Sequence, residues 1–203
     1  MSRYIWYICA ILGGYLIGNI NMGAILARIK GFDIRTKGSG NAGASNALLT
    51  MGKRAGIITA AIDIIKAFVP TYLVAEVLPV PADVYYLAPI TGTAVIIGHM
   101  FPFWMHFKGG KGFASLLGMT LALNWKILSA MLVILVVIMI TTKYIALATI
   151  TCAIILPIAW YLLGGSIFES AMFGILAVII FVKHIENLKR IANHTEIGYH
   201  KQK

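Results

Sequence analysis

Three short segments of the chain carry residue types that suit the binding of a phosphate group. The first runs from Gly38, Ser39, Gly40 and Asn41 to Asn46. Glycines allow several backbone N–H groups to converge on one anion, so this segment predicts a phosphate cradle. It also fits the G-x-G-x-x-G pattern, but a dinucleotide site needs a preceding strand, and apolar helical segments flank it here. A basic loop without function explains its composition equally well.

The second segment places two lysines around paired glycines and ends in a third glycine. It consists of Lys108, Gly109, Gly110, Lys111 and Gly112. Lysines and glycine amides together suit an anion, and Gly112 is predicted to open a helix whose N-terminal amides would add to the site. A Walker A loop needs a glycine five residues before Gly110, and this chain has none there, so a nucleotide loop is not predicted. The alternative is a flexible turn whose lysines extend to the membrane surface.

The third segment, 183–190, is predicted to be helical, with His184 and Asn187 on one face. Glu186 is expected to pair with Lys189 or Arg190 on another face. A histidine at a membrane boundary suits a general base or an anion ligand. The competing interpretation is an interfacial histidine with no part in chemistry.

The elements that must position these segments are transmembrane helices. Of the 203 residues, 60% are hydrophobic and 12% are charged, and the mean hydropathy is +0.87. A soluble domain carries roughly 25% charged residues, so the composition excludes an ordinary soluble fold. The two cysteines, Cys9 and Cys152, lie in apolar runs, which predicts neither a disulfide framework nor a metal site.

The hydropathy pattern predicts an all-α integral membrane protein with seven transmembrane helices, two of them short. About 20 apolar residues cross the hydrocarbon of a bilayer. Asn124, Trp125 and Lys126 interrupt the apolar run 113–142, and Asp63 and Lys66, three residues apart within one span, are expected to pair toward the bundle interior. A five-span chain is the alternative count. The predicted spans are 4–27, 56–78, 84–105, 113–123, 127–142, 144–163 and 170–182.

The distribution of positive charge predicts the orientation. Fourteen of the 17 Lys and Arg residues lie in 28–55, 106–112, at Lys143 and in 183–203. Lys and Arg accumulate in cytoplasmic loops, so these segments and the C-terminus are predicted to be cytoplasmic and the N-terminus outside. The same rule explains most of the formal charge of +10 without a nucleic-acid partner.

Phosphate-binding segments on one face of a lipid-embedded body suggest a substrate with a phosphate head and an acyl tail. The chain resembles the bacterial acyl-phosphate:glycerol-3-phosphate acyltransferases over essentially its whole length. The residues that carry the resemblance are Asp33-Ile34-Arg35, Gly38 to Asn46, Gly52-Lys53, Asp63 to Lys66, Gly98 to Pro102, Phe107 to Gly112, Lys183-His184, Glu186-Asn187, Lys189-Arg190 and Thr195-Glu196.

The resemblance implies one membrane domain over 1–203, in the bacterial inner membrane, with the active site facing the cytoplasm. It implies transfer of an acyl group from acyl phosphate to the 1-hydroxyl of glycerol 3-phosphate, giving lysophosphatidate and phosphate, with no cofactor and no metal. The implied catalytic residues are Ser39, Lys111, His184 and Asn187. The implied substrate-binding residues are Gly38, Gly40, Asn41, Asn46, Lys108, Gly109, Gly110 and Gly112.

One position departs from the family pattern. The family usually has an arginine three residues after Asn46, where this chain has Leu49. Arginine binds phosphate through two parallel hydrogen bonds that a lysine reproduces only in part. The sequence therefore predicts either compensation by Arg35, Lys53 or Arg54 or a weakly active paralogue. A transporter or binding protein for a phosphorylated metabolite is the alternative from another class.

Overall fold

The computed structural model describes residues 2–198, and the regular structure in that range is helical throughout. Two compact units divide the chain, residues 1–123 and residues 124–203. The first unit contains α1 (Arg3–Gly18), α2 (Met22–Ile29), α3 (Ala44–Met51), α4 (Lys53–Tyr72), α5 (Leu87–Met100) and α6 (Phe113–Leu123). The second contains α7 (Trp125–Thr142), α8 (Ile145–Leu162), α9 (Ile167–Lys183) and α10 (Ile185–Ala192).

The lengths and apolar composition of the helices confirm the all-α membrane class. The number of helices long enough to span a membrane is lower than the predicted seven. Within the described residues, five segments are long and apolar enough to cross a membrane: Arg3–Ile29, Lys53–Val77, Leu87–Met105, Trp125–Thr142 and Ile145–Leu162. The pair α9 and α10, bent by 47°, makes a sixth if it counts as one span. The remaining predicted span is α6, which has 11 residues and is too short to cross alone.

Asn124 separates α6 from α7, as the interruption in the apolar run predicts. Its side-chain oxygen accepts hydrogen bonds from the backbone N–H groups of Lys126 (3.1 Å) and Ile127 (3.2 Å). This is an N-cap, which satisfies donors that a helix start leaves unpaired. The described residues therefore form two helices over 113–142.

The first span is broken at residues 19–21, where the sequence predicts a continuous helix over 4–27. Asn21 caps α2 by accepting the N–H of Ala24 at 3.0 Å. Asn19 bonds to the short turn Phe103–Met105, which follows α5. Its side-chain oxygen accepts the N–H of Phe103 at 2.9 Å, and its carbonyl accepts the indole N–H of Trp104 at 2.9 Å. Asparagine competes for backbone bonds and so favours a helix end over a helix interior.

Glycines let α1 and α5 approach to backbone contact. A Cβ at Gly18 would overlap the carbonyl of Val95, and one at Gly98 would overlap the carbonyl of Tyr15. Small residues allow such close packing between membrane helices, where dispersion contacts replace the hydrophobic effect. This contact fixes α5, which carries His99 at its end, against the first span.

The second unit is built from α7, α8 and α9. Trp160 of α8 packs edge-on against Phe173 of α9, with ring centroids 4.8 Å apart. Ser166 and Glu169 form a capping box, so α9 begins at Ile167 and is longer than the predicted 170–182. Large apolar side chains remain exposed along α7, among them Val133 at 64% and Ile140 at 59%, as expected of a lipid-facing helix.

Candidate active site

Asn46 organises the first glycine segment from the start of α3. Its side chain is fully buried. Its oxygen accepts the N–H of Ser39 at 2.8 Å, and its amide nitrogen lies within hydrogen-bond distance of the carbonyls of Ile34 (2.9 Å), Lys37 (3.0 Å) and Asn41 (2.8 Å). The sequence predicted Asn46 as a substrate ligand; in the structure its polar atoms hold the loop that carries Ser39.

The backbone of this loop requires glycine at two points. Gly38 has φ +60° and Gly40 has φ +72°, a left-handed conformation that costs other residues energy. A Cβ at Gly38 would also overlap the buried oxygen of Asn46. Gly38 and Gly40 are exposed and Ser39 and Asn41 partly exposed, so the predicted cradle residues are accessible.

The loop opens directly onto the N-terminus of α3, a helix that the composition of the polar stretch 28–55 did not predict. Gly43 is its N-cap residue and supplies no side-chain bond to the first-turn amides. The first N–H groups of a helix have no partner within the helix and favour an anion. α3 packs against α4 through Leu48, which fills the space over Gly56.

The second segment leads into α6 at Phe113, as predicted. Gly112 is buried and has φ +87°, which turns the chain into the helix. Lys108 is exposed and Lys111 is partly exposed. The predicted phosphate donors at the paired glycines are already used, because the N–H of Gly109 donates to Met100 and that of Gly110 to His99, each at 3.1 Å. The glycines instead provide space for the Pro102 and His99 side chains.

Arg35 connects the first segment to the second. It bonds Asp33 through Nε (3.0 Å) and Nη2 (2.6 Å) and donates from Nη1 to the carbonyl of Met105 at 2.7 Å. The Arg35 side chain holds the pKa of the Asp33 carboxyl below its ordinary value, chiefly through these hydrogen bonds, and the carboxylate in turn raises the pKa of Arg35. With its charge balanced in this way, Arg35 is a poor substitute for the arginine replaced by Leu49.

The predicted pairing of Asp63 with Lys66 is confirmed, and His99 is a third member that the sequence reasoning missed. Lys66 Nζ lies 2.8 Å from Asp63 Oδ1 and 2.8 Å from His99 Nδ1. All three side chains are buried, with 1%, 6% and 2% exposure for Asp63, Lys66 and His99. His99 lies in the resembling segment 98–102, but nothing in its spacing links it to position 66.

The third segment lies in the second unit, where His184 and Asn187 are both buried on one face of the short helix. His184 Nδ1 lies 2.8 Å from the carbonyl of Ile180. A carbonyl only accepts, so Nδ1 carries the proton and the lone pair of the neutral ring is on Nε2. Asn187 donates to Glu196, which also accepts Arg190 Nε at 2.6 Å. Glu186 pairs with Lys189, as predicted, at 2.8 Å.

A cavity of about 400 Å³ lies in the first unit beside α2. Arg28, Asp33, Arg35 and Trp104 are among the residues that line it. None of the predicted site residues does. The cavity is therefore lined by residues outside both glycine segments.

Comparison with known proteins decides the family. The glycerol-3-phosphate acyltransferase family profile matches residues 8–194. The chain belongs to this family. It is therefore an acyltransferase, which confirms the enzyme prediction and removes the support for a transporter.

The relatives and solved structures of the family match almost the full chain. The glycerol-3-phosphate acyltransferase of Geotalea daltonii is 39% identical, with 93% of this chain and 95% of that protein covered. Glycerol-3-phosphate acyltransferase 2 of Thermotoga maritima is 37% identical, with 94% and 95% covered. The crystal structure of the integral membrane acyltransferase PlsY in its glycerol 3-phosphate form has a TM-score of 0.87 at 29% identity, covering 95% of each chain. Its lysophosphatidic acid form has a TM-score of 0.82 at 29% identity, with 98% and 96% covered.

Proposed function

We propose that this acyltransferase moves a fatty acyl group from acyl phosphate to the 1-hydroxyl of glycerol 3-phosphate. The observation that carries the proposal is that both glycine segments lead directly into helix N-termini, those of α3 and α6, within one compact unit. Each helix start favours a phosphate through its unpaired amides and its dipole. Two phosphate-bearing substrates need two such places.

Each segment is assigned one substrate. Lys108 and Lys111 bind glycerol 3-phosphate, since their ammonium groups sit on the segment that precedes α6. Ser39, Asn41 and the first amides of α3 bind the acyl phosphate. The carbonyl oxygen of the acyl group gains negative charge as the hydroxyl attacks, and fixed donors at that point lower the barrier.

The reaction forms one bond and breaks one. The 1-hydroxyl oxygen bonds to the acyl carbonyl carbon, and the bond from that carbon to the phosphate oxygen breaks. The hydroxyl proton passes to the departing phosphate, and the family resemblance implies His184 and Asn187 as further catalytic residues. Acyl phosphate is already activated, so correct positioning supplies much of the rate.

The membrane arrangement is part of the proposal. With α6 and the α9–α10 pair counted, the chain crosses or enters the bilayer seven times, with the N-terminus outside and the C-terminus in the cytoplasm. The membrane is the bacterial plasma membrane, and the active site faces the cytoplasm. We propose a single catalytic domain over 1–203.

The test is an assay of the purified protein in lipid with acyl phosphate and glycerol 3-phosphate. We expect lysophosphatidate and inorganic phosphate in equal amounts, and a loss of both in Lys111→Ala. A Lys30→Ala variant, changed at the exposed C-cap of α2, controls for the loss of a positive charge. Product formation no greater than in Lys111→Ala would overturn the donor and acceptor assignment.

A further inference from the structure

The buried ammonium of Lys66 has three close polar contacts. Nζ lies 2.6 Å from the carbonyl of Ile20, 2.8 Å from Asp63 Oδ1 and 2.8 Å from His99 Nδ1. The contacts with Ile20 and His99 are hydrogen bonds, and the contact with Asp63 is an ion pair. The carbonyl of Ile20 lies at the break between α1 and α2, where it would otherwise be unpaired within the membrane.

These contacts fix the protonation of His99. An ammonium group only donates, so Nδ1 must accept from Lys66, and the neutral ring carries its proton on Nε2. Asp63 Oδ1 lies farther from the same nitrogen, at 3.4 Å, and would compete for it only if Nδ1 carried a proton. The shorter contact therefore determines the ring's orientation.

The fixed ring lies against the second glycine segment. A Cβ at Gly110 would overlap the Nε2 side of the His99 ring and come within 2.6 Å of Cε1. The N–H of Gly110 also donates to the carbonyl of His99 at 3.1 Å. His99 thus holds Gly110 through both its side chain and its backbone, one residue before Lys111.

The same turn of α4 holds the other side of Lys111. Ser115, in the first turn of α6, donates from its hydroxyl to the carbonyl of Asp63 at 3.0 Å. Gly118 places α6 against the carbonyl of Ile64, where a Cβ would overlap it. The segment between Gly110 and Ser115 is therefore held at one end by His99 and at the other by the backbone carbonyl of Asp63.

We propose that Asp63, Lys66 and His99 are positioning residues that set the path of the Gly110–Lys111 backbone and so place Lys111 for glycerol 3-phosphate. Buried ion pairs add little net stability compared with well-packed apolar residues, so stability alone does not account for this cluster. Its particular property is direction, because Lys66, itself held by Ile20 and Asp63, orients the His99 ring through Nδ1. The inference rests on the proposed role of Lys111.

The first test measures both substrate constants in Lys66→Met and His99→Asn. The KM for glycerol 3-phosphate is expected to rise tenfold or more in Lys66→Met, while the KM for acyl phosphate stays within twofold. Asn keeps an acceptor for Lys66 but removes the ring, so His99→Asn should show the same selective rise. Thr59→Val, which removes a buried hydroxyl bonded to Ala55 in the same helix, controls for general damage to α4. Equal changes in both KM values, or a fall in kcat alone, would overturn the proposal, because the cluster would then stabilise the fold without positioning Lys111.

The second test asks whether the ring and the glycine act on each other. Gly110→Ala is expected to be severely impaired, because the added methyl group overlaps the ring, and His99→Asn should restore part of what Gly110→Ala loses. Gly13→Ala, at a glycine with open space around it, is the matched control. Additive losses in the double variant would overturn the proposal.

The comparison of wild type, Gly110→Ala, His99→Asn and the double variant also has a readout that does not depend on transfer activity. If the wild-type protein fails to form lysophosphatidate, the proposed function fails, yet the thermal unfolding temperatures of the four proteins in detergent still report the coupling. Restored unfolding temperature in the double variant would support the ring-to-glycine contact. Additive destabilisation would reject it.

Discussion

Arg35 and Met105, separated by 70 residues in the chain, are joined by a 2.7 Å hydrogen bond from the guanidinium to the backbone carbonyl. The same carbonyl accepts the N–H of Lys108 at 3.2 Å. The first segment and the second are therefore not independent loops. One planar side chain fixes the spacing of the two places proposed for the two phosphates.

Replacing Arg35 by lysine should separate these segments while preserving the charge. A lysine cannot bond Asp33 in two places and reach Met105 at the same time. Losing the charge-assisted hydrogen bond to Met105 costs about 1.5–3 kcal/mol, so we expect kcat/KM to fall at least tenfold. Arg3→Lys, at the exposed start of α1, should remain close to wild type. Equal effects of the two substitutions on steady-state kinetics would show that the Arg35 geometry is irrelevant.

Introducing arginine at position 49 tests the departure from the family. If Leu49 is a simple loss, Leu49→Arg should raise kcat/KM about tenfold to a hundredfold, the value of one or two charge-assisted bonds to phosphate. Leu49→Met controls for side-chain length at this partly exposed position of α3. Unchanged kinetics would indicate that Lys53 or Arg54, both exposed at the start of α4, already supplies the charge.

Changing Asn46 to aspartate should release the first segment without changing side-chain size. A carboxylate cannot donate to the carbonyls of Ile34, Lys37 and Asn41, and leaving such buried groups unpaired costs about 1–3 kcal/mol each. We expect faster amide hydrogen exchange over 34–41 and a loss of activity. Thr50→Val removes a hydroxyl bond to Asn46 on the same helix and should leave exchange in the loop unaltered. Protection of the loop in Asn46→Asp would contradict the organising role.

The Asp33–Arg35 pair predicts a small dependence of stability on pH. The folded pKa of Asp33 lies below its ordinary value of 3.8, so the pair stabilises the fold above that pH and loses its effect as the pH falls through the folded value. Asp33 is 41% exposed, so solvent limits the gain to about 0.5 kcal/mol or less. Thermal unfolding of wild type and Asp33→Asn should differ slightly near neutral pH and converge in acid. A difference that grows in acid would reverse the sign of the argument.

Much of the helical arrangement was predictable because apolar length and helix caps are local properties. Asn124 ends one helix and starts the next, and the glycine segments lie where their composition places them. The break at residues 19–21 was missed, because Asn19 and Asn21 sit in a run that is otherwise apolar and long enough to span. The helix α3 was missed because it is short and lies in a polar stretch whose composition indicates a loop.

The site was predictable in its residue types and less so in their roles. Glycine and lysine at 108–112 indicated an anion site, yet the use of the Gly109 and Gly110 amides depends on carbonyls of α5 that a local pattern does not identify. The same holds for His99, whose partner at Lys66 is 33 residues away. Glu196, which joins Asn187 to Arg190, was visible only as part of a resemblance.

The break in the first span also constrains how the protein is made. Ile20 depends on Lys66, and Asn19 depends on Phe103 and Trp104, which are 84 and 85 residues further along the chain. A ribosome therefore delivers the first helix to the insertion machinery long before the groups that satisfy its polar backbone exist. We therefore expect the break between α1 and α2 to reach its final conformation only after Phe103 and Trp104 have been synthesised.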